Sequence, residues 1–146
     1  MVNCLITNQL TNIMSSRAPM HLDIGFVTFE LHEDYLIATV REGVVLEAKE
    51  AEKFHEVFDA HYSDRPFGYI SNRKFDYTIN PTYYKEVEKF DFDLVVVATL
   101  CYSEASYGMA KFAEKFFTWR HEAFYTLEEC VLFINELLEK NKKAGL

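Results

Sequence analysis

Glycine and proline are scarce, and their scarcity excludes whole classes of protein. Five glycines and three prolines in 146 residues rule out collagen-like, low-complexity and linker-dominated chains. They also leave no Gly-rich phosphate loop and no dinucleotide fingerprint, both of which need glycines clustered at fixed spacing. No Gly-x-Ser-x-Gly elbow, His-Glu-x-x-His or Cys-x-x-Cys occurs. The three cysteines, Cys4, Cys101 and Cys130, are odd in number and unpaired in spacing, so neither a disulfide framework nor a zinc knuckle is expected. Reduced thiols and a cytoplasmic location follow as the expectation. No apolar stretch approaches the roughly 20 residues of a membrane span, and no basic residue precedes Arg17. Stable membrane insertion and a signal peptide are therefore not expected. A net charge of −8 is the reverse of the basic field that nucleic-acid binding requires.

Aromatic residues are plentiful. Thirteen Phe and nine Tyr predict a thick, ring-rich core, part of it available to line a cavity. The most informative stretch is 93–100, Asp-Leu-Val-Val-Val-Ala-Thr-Leu. It shows no alternation, so both faces must be covered, as in the middle of a parallel sheet flanked by helices.

The other elements arrange themselves around this strand. Residues 1–22 lack a steady period and read as a loosely ordered N-terminal extension. Residues 24–31 and 35–41 alternate and are joined by His32-Glu33-Asp34, an antiparallel hairpin. A helix follows over 47–62, with Ala51, Phe54, Phe58 and Tyr62 inward. Residues 67–71 form a short strand, and 72–79 a loop. Asn80 caps the next helix, with Pro81 at its first position. Ser103 caps a helix to about 117 whose buried stripe is read as Ala105, Met109, Phe112, Ala113 and Phe116. Residues 122–125 make a last strand. Thr126 and Glu129 form a capping box for a final helix, with Leu127, Cys130, Val131, Ile134, Leu137 and Leu138 on its apolar face. Residues 142–146 are the tail. The predicted class is α/β, one domain over 23–141, in the order β-β-α-β-α-β-α-β-α. Its sheet is mostly parallel, with one antiparallel strand.

This pattern resembles STAS-like domains of the SpoIIAA, or anti-sigma-factor antagonist, type, in particular the stand-alone SpoIIAA-like proteins of bacteria. The resemblance rests on the hairpin, on residues 42–47 (Glu-Gly-Val-Val-Leu-Glu) leading into the first helix, on the buried 94–100 strand and on Tyr125-Thr126-Leu127-Glu128-Glu129. It implies a non-catalytic module that binds a protein partner, needs no cofactor and is not an enzyme. The best-known relatives carry a phosphorylated serine at the start of the second helix. The matching stretch here, Thr78-Ile79-Asn80-Pro81-Thr82, has no serine, so that switch is not carried over. A more distant analogy to Sec14-type lipid-binding domains keeps a second reading open: an apolar ligand held between sheet and helices.

Ligands of parallel α/β sheets bind beyond the carboxyl ends of strands. Two loops are placed there: Ser71, Asn72 and Arg73 after the third strand, and Cys101, Tyr102 and Ser103 after the fourth. Arg73 with the backbone N–H groups near Ser103 could hold an anion, but a surface loop with ordinary solvated charges is the favoured reading. Cys101 has two readings, a thiol activated by a helix N-terminus or an inert thiol packed at a strand end. The second is favoured, because no histidine neighbours it in sequence. His55, Asp59 and Glu52 share one helix face but lack a completing ligand, so no metal site is assigned. Phe117 and Phe133 fall off the main stripes and are the candidates for a partner or homodimer contact.

Overall fold

The structure, a computed structural model, describes residues 18–144. Residues 1–17 of the N-terminal extension, Cys4 among them, and residues 145–146 of the tail lie outside the described residues. The strands are β1 (Met20–Asp23), β2 (Val27–Leu31), β3 (Tyr35–Val40), β4 (Val45–Leu46), β5 (Phe67–Asn72), β6 (Thr78–Ile79), β7 (Leu94–Leu100) and β8 (Arg120–Phe124). The helices are α1 (Ala48–Tyr62), α2 (Pro81–Val87), α3 (Glu104–Ala113) and α4 (Leu127–Ala144), with a 3-10 turn at Glu114–Phe116.

Six strands form one sheet in the order β1-β2-β3-β5-β7-β8. β2 is antiparallel to both its neighbours, while β3, β5, β7 and β8 pair in parallel. One strand thus runs against the other five, as the sequence predicts. The strand 94–100 lies between β5 and β8 and is covered on both faces. Val96, Ala98 and Leu100 pack with Ile70, Cys130 and Ile134 beneath α4. Val97 and Thr99 point to the opposite face, where α1, α2 and α3 lie. Gly68 lets α4 come close: a Cβ there would sit 2.6 Å from Ile134 Cγ2.

The α1 face is the ring-rich core. Phe54 meets Phe26, Phe29, Phe58 and Tyr83 edge-on at centroid distances of 5.4–6.2 Å, the orientation the ring quadrupole favours. Each predicted cap forms. Asn80 Oδ1 accepts from Thr82 N–H at 3.0 Å, Ser103 Oγ from Ser106 N–H at 3.1 Å, and Thr126 Oγ1 from Glu129 N–H at 3.2 Å.

Besides shifts at element ends, such as the third helix closing at Ala113 and the last strand running Arg120–Phe124, the structure differs from the sequence reading in four places. Among the described residues the sheet begins at Met20, so residues 20–22 of the presumed extension are a strand paired with β2. The last helix continues to Ala144 rather than ending before 142. The 72–79 loop holds β6, which pairs in parallel with β4 as a separate two-stranded sheet. The turn at Gly43, with φ +79°, aims its N–H at Asp76 C=O, 2.8 Å away, and brings these segments together. The fourth difference bears on function: the stripe assigned to α3 is not buried. Ser106 and Ala110 face inward, and Ala110 packs on Cys101 and Ala123. These small side chains let the helix lie close to β8 and roll its larger apolar residues outward.

Candidate functional site

The outward roll of α3 makes a cleft between α2 and α3, about 1080 Å³ in volume. Pro81, Tyr84 and Lys85 line one side, and Met109, Phe112 and Phe116 the other. The last three are 54%, 59% and 51% exposed. Behind the cleft lies a smaller chamber of about 90 Å³. Arg73, Tyr77, Ile79, Tyr84, Ala113 and Phe117 border both spaces and form the throat between them. The chamber floor is the sheet itself, Tyr69 and Ser71 of β5 beside Val97 and Thr99 of β7, and Tyr83 and Trp119 contribute to its walls. A concave, mostly apolar space with a few convergent polar groups is the usual form of a small-molecule site.

Among the described residues Arg73 is the only charged side chain lining the chamber. Its guanidinium lies 4.3 Å from the Tyr77 ring centroid and donates to Tyr77 C=O at 3.4 Å. No carboxylate pairs with it among the described residues. Burial raises the pKa of Tyr69, Tyr83 and Tyr84, and neighbouring phenols raise each of the three further, Tyr77 being close to all of them. These hydroxyls stay protonated and remain donors at neutral pH. Those of Tyr69, Tyr83 and Tyr84 have no hydrogen-bond partner among the described residues.

A polar chain runs from the surface into the floor, with Thr99 and His121 buried. Thr99 Oγ1 lies 2.9 Å from His121 Nε2, and His121 Nδ1 lies 3.1 Å from Glu114 Oε2. Lys111 Nζ pairs with Glu114 Oε1 at 3.0 Å and with Glu122 at 3.5 Å. Burial lowers the His121 pKa despite the carboxylate beside it. Burial pushes the Glu114 carboxyl the other way, but hydrogen bonds from His121 and Lys111 outweigh it and leave its pKa lowered. At neutral pH a neutral imidazole therefore sits between an ionised carboxylate and a hydroxyl.

The two loops singled out in the sequence do not form one site. Side chains alternate along a strand, so Ser71 and Arg73 reach the chamber while Asn72 points to the α4 face. There Asn72 Nδ2 donates to Thr39 Oγ1 at 2.9 Å and Tyr102 OH donates to Asn72 Oδ1 at 2.7 Å. Ser103 is spent on capping α3. Cys101 is buried beneath α3. Burial pushes its thiol up, against the smaller effects of Ser106 and Arg73. Among the described residues no three His, Cys, Asp or Glu side chains gather as a metal site, and no helix is long and apolar enough to cross a membrane. Sequence reasoning missed Tyr69, Tyr77, Tyr83, Thr99, Trp119 and the His121–Glu114 pair. The period-two relation of Ser71 to Arg73 and of Val97 to Thr99 was the available signal.

The layout defines a class, an α/β domain with a SpoIIAA-like fold. It is similar to the crystal structure of an uncharacterized protein of the DUF3478 family with a SpoIIAA-like fold from Shewanella loihica PV-4. The match has a TM-score of 0.53 and 14% sequence identity, and it covers 83% of this chain and 98% of that one. Likeness at this identity is a likeness of fold, and it bears out the resemblance read from the sequence. No protein-family profile matches the sequence, and no curated protein matches it.

Proposed function

We propose that the protein is a non-catalytic binding module whose ligand is a small amphipathic acid. The apolar body of the ligand enters the cleft between α2 and α3, and its anionic group meets Arg73. The observation that carries this reading is Arg73 itself: an uncompensated guanidinium at the throat of an aromatic chamber. A cation in that position favours an anion, while the surrounding rings favour an apolar body.

Trp119 supplies the test, because it is the chain's single tryptophan and lines the chamber. Titration with 3-phenylpropionate should change Trp119 fluorescence to saturation, and Arg73→Gln should weaken that binding about tenfold or more. A flat fluorescence response in the native protein would sink the reading.

A second reading is favoured by the exposed face of α3. Met109, Phe112 and Phe116 form an apolar surface of the kind protein partners cover. In this reading the partner is a protein, or a second copy of the chain, docking on α3. Sedimentation of the native protein and of Phe112→Ser tests the homodimer form: a dimer that dissociates in the variant supports it, and a monomer in both removes it.

A further inference from the structure

The hydrogen positions in the Thr99–His121–Glu114 chain can be assigned by elimination. Glu114 is ionised and only accepts, so His121 Nδ1 carries the proton shared at 3.1 Å. A neutral ring with its proton on Nδ1 has a bare Nε2, and the 2.9 Å contact to Thr99 is then made by the threonine hydroxyl donating to the ring. The Thr99 proton is thus committed away from the chamber, and its lone pairs remain. No described residue donates to Thr99 Oγ1. Thr99 is buried on the chamber floor, in register with Ser71 of β5.

Apart from the hydroxyls of Ser71 and Tyr77, which meet each other at 3.4 Å, the polar groups around this oxygen have the opposite character. Arg73 at the throat is a donor without acceptor capacity, and the phenols of Tyr69 and Tyr83 bring protons that no described residue accepts. The chamber therefore has a cation at its mouth and an oriented acceptor on its floor, with Val97, Phe117 and Trp119 among the apolar residues that line it. We infer that the chamber selects acids that carry a hydroxyl or N–H besides the carboxylate, and that Thr99 receives that donor. His121 and Glu114 are positioning residues: they do not touch the ligand and act by fixing the direction of the Thr99 proton. This rests on the cleft reading above.

Calorimetric titration with 3-phenylpropionate and 3-(4-hydroxyphenyl)propionate separates the two claims. The hydroxylated acid is expected to bind about tenfold more tightly, one hydrogen bond's worth. Thr99→Val should abolish the difference, and Thr99→Ser, which keeps the hydroxyl, should retain it. Equal affinity of the two acids for the native protein overturns the inference and leaves the cleft reading standing. Binding by neither overturns both. Thr99→Val leaves His121 Nε2 without its partner and can lose the fold, so nitrogen-15 shifts of His121 in the native protein provide a second readout. A neutral ring protonated on Nδ1 supports the assignment. A charged ring, or a proton on Nε2, overturns it.

Discussion

Helices α3 and α4 carry apolar stripes of the same appearance in sequence, and the fold treats them in opposite ways. α4 lays Cys130, Ile134, Leu137 and Leu138 on the sheet, all buried. α3 turns Ser106 and Ala110 inward and leaves Met109, Phe112 and Phe116 exposed. The difference lies in what each helix faces. α4 crosses β5 and β7, whose Gly68, Ile70, Val96 and Ala98 offer a close-fitting apolar surface. α3 contacts mainly β8 at the sheet edge, where only small residues fit. A stripe with a sheet opposite becomes core, and a stripe without one becomes the wall of a cleft.

The contrast can be broken most directly by truncation. Ile134→Ala should cost about 2–5 kcal/mol in urea denaturation, whereas Phe112→Ser should stay within about 0.5 kcal/mol of the native protein. Comparable losses would mean that α3 is packed as tightly as α4. A smaller effect is expected from crowding beneath α4. Gly68→Ala places a methyl group 2.6 Å from Ile134 Cγ2 and should cost about 1–3 kcal/mol. Adding Ile134→Val should not relieve this clash, because valine keeps a branch at Cβ, while adding Ile134→Ala should. Fully additive losses in the Gly68→Ala, Ile134→Ala pair would show that the close approach is not what the glycine serves.

The smallest effect is one of pH, and it belongs to the α3 side. The folded pKa of His121 lies below its ordinary value of 6.5 because burial disfavours the charged ring. The unfolded chain then binds more protons, so stability falls as pH drops below 6.5 and the loss is complete once pH passes the folded pKa. The groups facing the ring are Glu114, Lys111 and Glu122. Glu114, with its pKa lowered from 4.5, adds a further loss at more acid pH. His121→Gln should flatten the upper part of this decline in a series of melting curves. Ile134→Val should lower the whole curve without changing its shape. An unchanged decline in His121→Gln would assign it to other groups.

How much the sequence discloses follows the same division. The unbroken run at 94–100 announces a strand covered on both faces, and the caps at Asn80, Ser103 and Thr126 declare helix starts, because both signals are local. The orientation of α3 is not local. Its hydrophobic period predicts a buried face at Met109, Phe112 and Phe116, and only the small residues at Cys101, Ala110 and Ala123 decide that Ser106 and Ala110 go inward instead. The site was half legible for a related reason. Ser71 and Arg73 were found as neighbours of a strand end, but treating Asn72 as their companion ignored the alternation that sends it to the opposite face. Thr99 and His121 are 22 residues apart and meet only through the pairing of β7 with β8.

The small sheet of β4 and β6 gives the two walls of the cleft unequal freedom. Thr78 N–H to Val44 C=O and Asn80 N–H to Leu46 C=O, both 2.9 Å, tie the segment leading into α2 to the segment leading into α1. α1 and α2 also pack on each other. α2 itself buries only Val87 and is anchored through these ties and through α1, which buries Ala51, Phe54, Val57, Phe58 and Tyr62, whereas α3 buries only Ser106 and Ala110. Elements with few buried contacts open at the lowest free energy. The backbone amides of α3 are therefore expected to exchange with solvent before those of α1.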